Sequence, residues 1–123
     1  MNAEQFIEGI KISLRDGAKE SFFKHFENLP GRKPHKKSIF ISEGIKKLDA
    51  EEKKLLEAII DRNIDSTVFG FLCILDHVRF IEGVGEKTTF ELYAVKNGER
   101  ILINDPKNEE LHNLYNSLVL EHD

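Results

Sequence analysis

Apolar and polar residues alternate in two runs, over about residues 88–104, on either side of the dipeptide Asn97-Gly98. Asn-Gly tolerates positive φ at both central positions of a type I′ turn, so the two runs are predicted to form an antiparallel β-hairpin. Counting outward from the turn pairs Val95 with Arg100 and Tyr93 with Leu102. The face that must meet a core carries Phe90, Leu92, Ala94, Ile101 and Ile103. The opposite face is too apolar for plain solvent-facing surface and carries Glu91, Tyr93, Val95, Arg100 and Leu102.

Helical spacing of apolar residues predicts helices in the rest of the chain. The first helix begins with a capping box of Asn2 and Gln5, and a kink or break is expected near Gly17, because glycine inside a helix costs roughly 1 kcal/mol relative to alanine. A second helix begins with the capping box of Asp49 and Glu52. A short closing helix is predicted from the apolar positions Leu111, Leu114, Tyr115 and Leu118.

The sequence does not distinguish helix from strand in two segments, residues 38–42 and 66–78. The second is apolar nearly all round, and Asp65 or Ser66 can cap its start. Its length and the polar residues near its end favour a central buried helix. The sequence therefore predicts an α+β protein, a mainly helical single domain over residues 1–123, with one two-stranded antiparallel hairpin packed on helices.

The charge of the chain is uneven along its length. The net charge of −4 is carried entirely by residues 104–123, which hold Lys107 against five acidic residues: Asp105, Glu109, Glu110, Glu121 and Asp123. One cysteine excludes an internal disulfide and suits a reducing compartment. The N-terminal residues show no secretory signal, and the longest apolar run is far too short for a membrane span. These features predict a cytoplasmic protein that does not act in a membrane.

Candidate catalytic residues are few. Cys73 lies among apolar residues and is predicted to be a buried core residue, although Asp76 and His77 would share its helix face at i+3 and i+4. A dyad on one helix has no visible oxyanion donor, and the histidines lack the close spacing of metal ligands. We expect no catalytic residue, no cofactor and no metal. The alternative is a small enzyme that uses the group Asp61, Asp65, Asp76 and His77.

Two charged segments are candidate binding surfaces. Glu57, Asp61 and Asp65 fall at i, i+4 and i+8, which predicts a solvated acidic helix edge that can face a basic partner. The basic loop of residues 32–37 offers four cations for phosphate contacts near Phe40: Arg32, Lys33, Lys36 and Lys37. The acidic net charge and the absence of a nucleic-acid-binding motif make nucleic acid the weaker of the two partners.

These observations favour a protein-binding module without catalytic activity over an enzyme or a nucleic-acid-binding domain. The small, acidic, cysteine-poor profile is similar to that of many bacterial toxin-neutralising immunity proteins. We therefore expect an inhibitor or immunity-type protein whose partner is basic, such as a toxin nuclease, with the hairpin as a further route to a homo-oligomer. The expected partner-binding residues are Glu57, Asp61, Asp65, Glu91, Tyr93, Leu102, Asp105, Glu109 and Glu110.

Overall fold

The computed structural model describes residues 1–29 and 31–122, with residues 121 and 122 described by their backbone alone. The helices are α1 (Ala3–Ile10), a π-helix (Lys11–Asp16), α2 (Gly17–Glu27), α3 (Lys36–Lys46), α4 (Ala50–Leu75) and α5 (Leu111–His122). The strands β1 (Tyr93–Lys96) and β2 (Glu99–Leu102) form an antiparallel pair. The predicted mainly helical α+β fold with one two-stranded sheet is confirmed. None of the described helices is long and apolar enough to cross a membrane.

The chain divides into two compact units. The hairpin unit comprises Met1–Ile12 and Asp65–Asp123, and the helical unit comprises Ser13–Ile64. That residues 1–123 form one domain stays a prediction.

The first helix begins as the sequence predicts. The Asn2 side chain accepts a hydrogen bond from the Gln5 backbone N–H at 2.8 Å, and the Gln5 side chain accepts one from Asn2 at 2.9 Å. Near Gly17, where a kink or break is expected, the chain stays helical: the π-helix Lys11–Asp16 runs directly into α2.

The long helix α4 is a correction to the predicted cap at Asp65 or Ser66. The capping box is present at its start, where the Asp49 carboxylate accepts from the Glu52 backbone N–H at 2.8 Å. The helix then continues through Asp65, whose carboxylate accepts a hydrogen bond from the Tyr115 hydroxyl at 2.7 Å instead of capping a new helix. The favoured helical state of residues 66–78 is confirmed as far as Leu75.

Residues 38–42, whose state the sequence left open, are helical within α3. The helix begins after His35, whose Nδ1 accepts from the Lys37 backbone N–H at 3.2 Å. The predicted basic loop of residues 32–37 is therefore a loop only in its first part, because Lys36 and Lys37 lie in the first turn of α3.

The core of the hairpin unit joins α1, the second half of α4, the hairpin and α5. Its buried side chains are Ala3, Ile7, Leu72, Leu75, Ile103, Leu111, Tyr115 and Val119. The predicted closing helix α5 contributes three of these residues and packs on α1.

The hairpin has the predicted register and turn but shorter strands. Tyr93 pairs with Leu102 and Val95 with Arg100, and the turn residues Asn97 and Gly98 have φ values of 53° and 80°. Within the predicted hairpin of about residues 88–104 the regular strands cover 93–96 and 99–102. One further backbone bond runs from the Ile103 N–H to the Leu92 carbonyl at 2.7 Å, and the backbone N–H groups before Tyr93 donate to side chains. The Phe90 N–H donates to His77 Nε2 at 3.0 Å, and the Leu92 N–H donates to the Asn104 side chain at 2.9 Å.

The predicted core face of the hairpin meets the core only in part. Ile103 is buried, and Leu92 and Ala94 pack against the core. Phe90 and Ile101, which belong to the same predicted face, are exposed. The core therefore covers only part of this face.

Candidate functional site

The opposite face of the hairpin lies outside the hydrophobic core. We call Tyr93, Val95 and Leu102 the hairpin stripe. Val95 is 65% exposed, while Tyr93 and Leu102 are half-buried and belong to neither the buried core nor its packed neighbours. Directly paired residues of an antiparallel ladder share a face, so the three side chains form one continuous surface.

Two charged residues hold the aromatic ring of the stripe. The Tyr93 hydroxyl donates a hydrogen bond to the Glu91 carboxylate at 3.0 Å, and the Arg100 guanidinium carbon lies 4.2 Å from the ring centroid. The hydrogen bond to Glu91 raises the pKa of Tyr93, because ionising the phenol would both break that bond and place two negative charges together. The ring is thus fixed in place between an anion and a cation.

An acidic segment follows the hairpin in the chain and leads to α5. The Asp105 carboxylate accepts a hydrogen bond from the Lys107 backbone N–H at 3.0 Å, and both Glu109 and Glu110 are exposed. These two glutamates stand just before the N-terminus of α5, where the helix dipole favours negative charge. Their positions suit a negative field at this end of the unit.

The predicted acidic edge of α4 presents fewer available charges than the sequence indicates. The Asp61 carboxylate pairs with Lys19 Nζ at 3.1 Å, and the Asp65 carboxylate accepts from the Tyr115 hydroxyl. Glu57 is half-buried. Since two of the three carboxylates already have partners within their own units, the hairpin stripe is the stronger candidate surface.

The carboxylate of Asp76 has a structural role that was not predicted from the sequence. Its side chain is 5% exposed and accepts hydrogen bonds from the backbone N–H groups of Leu111 and His112, at 3.0 and 2.8 Å. Its Oδ2 also lies 2.5 Å from His112 Nδ1. Asp76 therefore caps the start of α5 from a distant part of the chain, and no local sequence signal announces such a contact.

Asp76, Glu110 and His112 could also be considered as metal ligands, because one ligand atom from each lies within 4.8 Å of the others. A metal bound there would have to compete for the oxygens that accept the hydrogen bonds at the start of α5. The geometry is that of a helix cap.

Cys73 and His77 do not form the shared helix face that a catalytic pair would need. Cys73 is buried, as predicted, and burial raises the pKa of its thiol. The helix α4 ends at Leu75, and His77 adopts a left-handed conformation with φ 62°. Its Nε2 accepts from the Phe90 N–H, so the ring fastens the chain entering the hairpin.

The four predicted nucleic-acid contacts are all exposed. Arg32 and Lys33 lie in the loop before α3, and Lys36 and Lys37 lie in its first turn. Within the part of the chain that the structure describes, none of these cations forms an ion pair. They give the helical unit a positive surface, next to the 80% exposed ring of Phe40.

Comparisons of the chain with protein-family models, with curated proteins and with solved structures give no match. Function is therefore inferred from the surfaces of the chain itself. Two surfaces stand out. One is the hairpin stripe with its acidic neighbours in the hairpin unit, and the other is the group of four cations at and before the start of α3 in the helical unit.

Proposed function

We propose that the chain is a protein-binding module without catalytic activity and that the hairpin stripe is the centre of its partner surface. The observation that carries this proposal is that Tyr93, Val95 and Leu102 lie outside the hydrophobic core. The other face of the hairpin is the one that packs against that core. Protein interfaces combine an aromatic or aliphatic centre with a polar rim. Here the stripe supplies the centre, and Glu91 and Arg100 begin the rim.

The charge of the hairpin unit supports a basic partner. This unit contains 13 acidic residues against 6 basic ones, a net charge of −7, whereas the helical unit contains 9 acidic residues against 12 basic ones, a net charge of +3. Charge of one sign concentrated around a binding surface accelerates association with an oppositely charged partner. Asp105, Glu109 and Glu110 are the acidic residues expected to contribute beside the stripe.

Within this class, we infer an inhibitor or immunity-type protein that acts in the bacterial cytoplasm and neutralises a basic partner such as a toxin nuclease. Acidic side chains would occupy the surface on which such a partner binds phosphates. The contacts of the candidate catalytic residues support binding over catalysis: Asp76 caps α5, His77 bonds to the hairpin backbone and Cys73 is buried.

The test is an affinity capture from a lysate of the source organism at low and at high salt, with the full chain as bait. A basic protein should be retained at low salt and lost at high salt. Val95→Asp places a charge in the stripe and should lose the partner. The matched control is Val84→Asp, which makes the same change at a 95% exposed valine in the loop before the hairpin and should retain it.

Charge reversal distinguishes a specific negative field from the net charge of the chain. Glu109→Lys and Glu110→Lys should each weaken capture of the basic partner, whereas Glu86→Lys, an equal reversal in an exposed loop, should not. If all three variants lost the same amount of captured partner, the acidic segment would have no specific role in binding. Recovery of nucleic acid held through Arg32, Lys33, Lys36 and Lys37, with no protein partner, would overturn the proposed function.

A further inference from the structure

An open apolar groove runs along α3 in the helical unit, with α2 on one side and the first half of α4 on the other. Its volume is about 490 Å³. The side chains that line it are mostly apolar and include Phe22, Phe40, Ile41, Leu48 and Leu56. Phe40 is 80% exposed, and a large ring so exposed at the edge of an apolar groove is typical of an interaction surface.

Gly44 forms a gap in the middle of this groove. It lies one helical turn after Phe40 and one turn before Leu48, on the same side of the chain. No atom lies within 4 Å of the position that a Cβ would occupy there. The gap lies between Phe40 on α3 and Leu48, which follows the end of that helix, and it offers space for a side chain of a facing helix.

Cations stand at both ends of the groove. Lys36 and Lys37 precede Phe40 by one turn, and Lys47 lines the groove just beyond the end of α3. Glu43 is the acidic residue of the lining. Within the lining Glu43 and Lys47 offset each other, so the positive charge of this face comes from Lys36 and Lys37, one turn before Phe40 on α3.

We propose that this groove seats an amphipathic helix of a partner protein, with apolar residues on its inner face and acidic residues on its outer flanks. Such a helix presents anchors at i, i+3, i+4 and i+7, and one anchor would enter the gap at Gly44. Its acidic residues would approach Lys36 and Lys47 at the two ends. A nucleic acid fits less well, because the lining is mostly apolar. This proposal concerns a different unit and the opposite charge from the hairpin stripe, so it does not depend on the proposed function.

The probe is a synthetic helical peptide with leucines at i, i+3, i+4 and i+7 and glutamates elsewhere on its surface, labelled for fluorescence anisotropy. The full chain should bind it at least about tenfold more tightly than the same peptide with lysines in place of the glutamates. Gly44→Leu fills the gap and should weaken binding by about tenfold or more. Gly9→Leu, at a helical glycine of α1 that is equally open, is the matched control and should bind as the unchanged protein does.

Phe40→Ala gives a second measurement that does not depend on whether Gly44→Leu folds. It shortens an exposed side chain and should leave the fold intact. It should also weaken binding, and circular dichroism checks that each variant remains helical. Binding without preference for the acidic peptide, or binding that Gly44→Leu and Phe40→Ala leave unchanged, would overturn the proposal. Tight binding of single-stranded RNA that Lys36→Glu and Lys37→Glu abolish, with no binding of the acidic peptide, would assign this face to nucleic acid instead.

Discussion

The Oδ2 atom of Asp76 accepts a hydrogen bond from the backbone N–H of His112 at 2.8 Å, across 36 residues of chain. The other carboxylate oxygen accepts from Leu111 at 3.0 Å. The first turn of a helix has N–H groups without partners inside the helix, and here the residue that follows α4 supplies those partners. The start of α5 and the end of α4 are therefore fixed to each other.

Replacing Asp76 by alanine should lower the free energy of unfolding by about 2 kcal/mol, because it leaves half-buried N–H groups of α5 without an acceptor. Asp76→Asn should cost less, since asparagine is also a good helix cap. Chemical unfolding with urea measures both. Asp105→Ala is the control, as its carboxylate accepts a single loop N–H and its loss should be smaller. An equal loss of unfolding free energy in Asp76→Ala and Asp105→Ala would contradict the role of Asp76 as the cap of α5.

Asn104 should be among the residues on which the stability of the hairpin unit most depends. Its buried amide donates to the carbonyl oxygens of Leu75 and Phe90, at 2.7 and 2.8 Å, and accepts from the Leu92 N–H. Asn104→Ala should cost about 3 kcal/mol, because three backbone groups lose their partner at once. Asn108→Ala, at an exposed asparagine nearby, should change the free energy of unfolding by no more than about 0.5 kcal/mol. Urea unfolding of both variants tests this difference.

Cys73 should react with a thiol reagent only when the protein unfolds. Its thiol is buried, and burial raises its pKa, so the reactive thiolate is scarce at neutral pH and the reagent has no access. Labelling followed by mass spectrometry, with and without denaturant, gives the two rates. Cys73→Ala should cost on the order of 1 kcal/mol and leave partner binding unchanged. Rapid labelling of the native protein would contradict a purely structural thiol.

The pKa of Tyr93 should fall when the charge of Glu91 is removed. Glu91 raises that pKa by accepting the phenolic hydrogen bond, and Glu91→Gln keeps an acceptor but removes the negative charge. The raised pKa means that the folded state favours the neutral phenol. The associated stabilisation is present below the ordinary tyrosine pKa and is lost as the pH rises through the raised value. Alkaline titration followed by tyrosinate absorbance measures the shift, with Tyr93→Phe identifying the signal of Tyr115.

Features that depend on neighbouring residues could be predicted from the sequence, and features that depend on distant ones could not. The turn at Asn97-Gly98 fixes the register of the hairpin, and the capping boxes at Asn2 and Asp49 mark two helix starts, because each involves residues within a few positions of one another. The bond from Asp76 to α5 has no such signature. The start wrongly predicted at Asp65 has the same origin, since its carboxylate bonds to Tyr115, 50 residues away.

The candidate surfaces divide in the same way. The hairpin stripe was predictable, because alternation along a strand assigns each side chain to a face. The groove on α3 could not be predicted, since the sequence does not distinguish helix from strand for residues 38–42. Phe40 and Gly44 share a side only if the segment is helical.

The order in which a ribosome delivers the chain gives the discontinuous hairpin unit a further consequence. The helical unit, Ser13–Ile64, is one uninterrupted stretch, and all of its residues are translated before the hairpin and α5. The helix α1 is translated well before α5, on which it packs. Ile7 and its neighbours must therefore remain without their final partners until α5 has also been translated. During that interval the nascent chain exposes an apolar helix that a chaperone could bind.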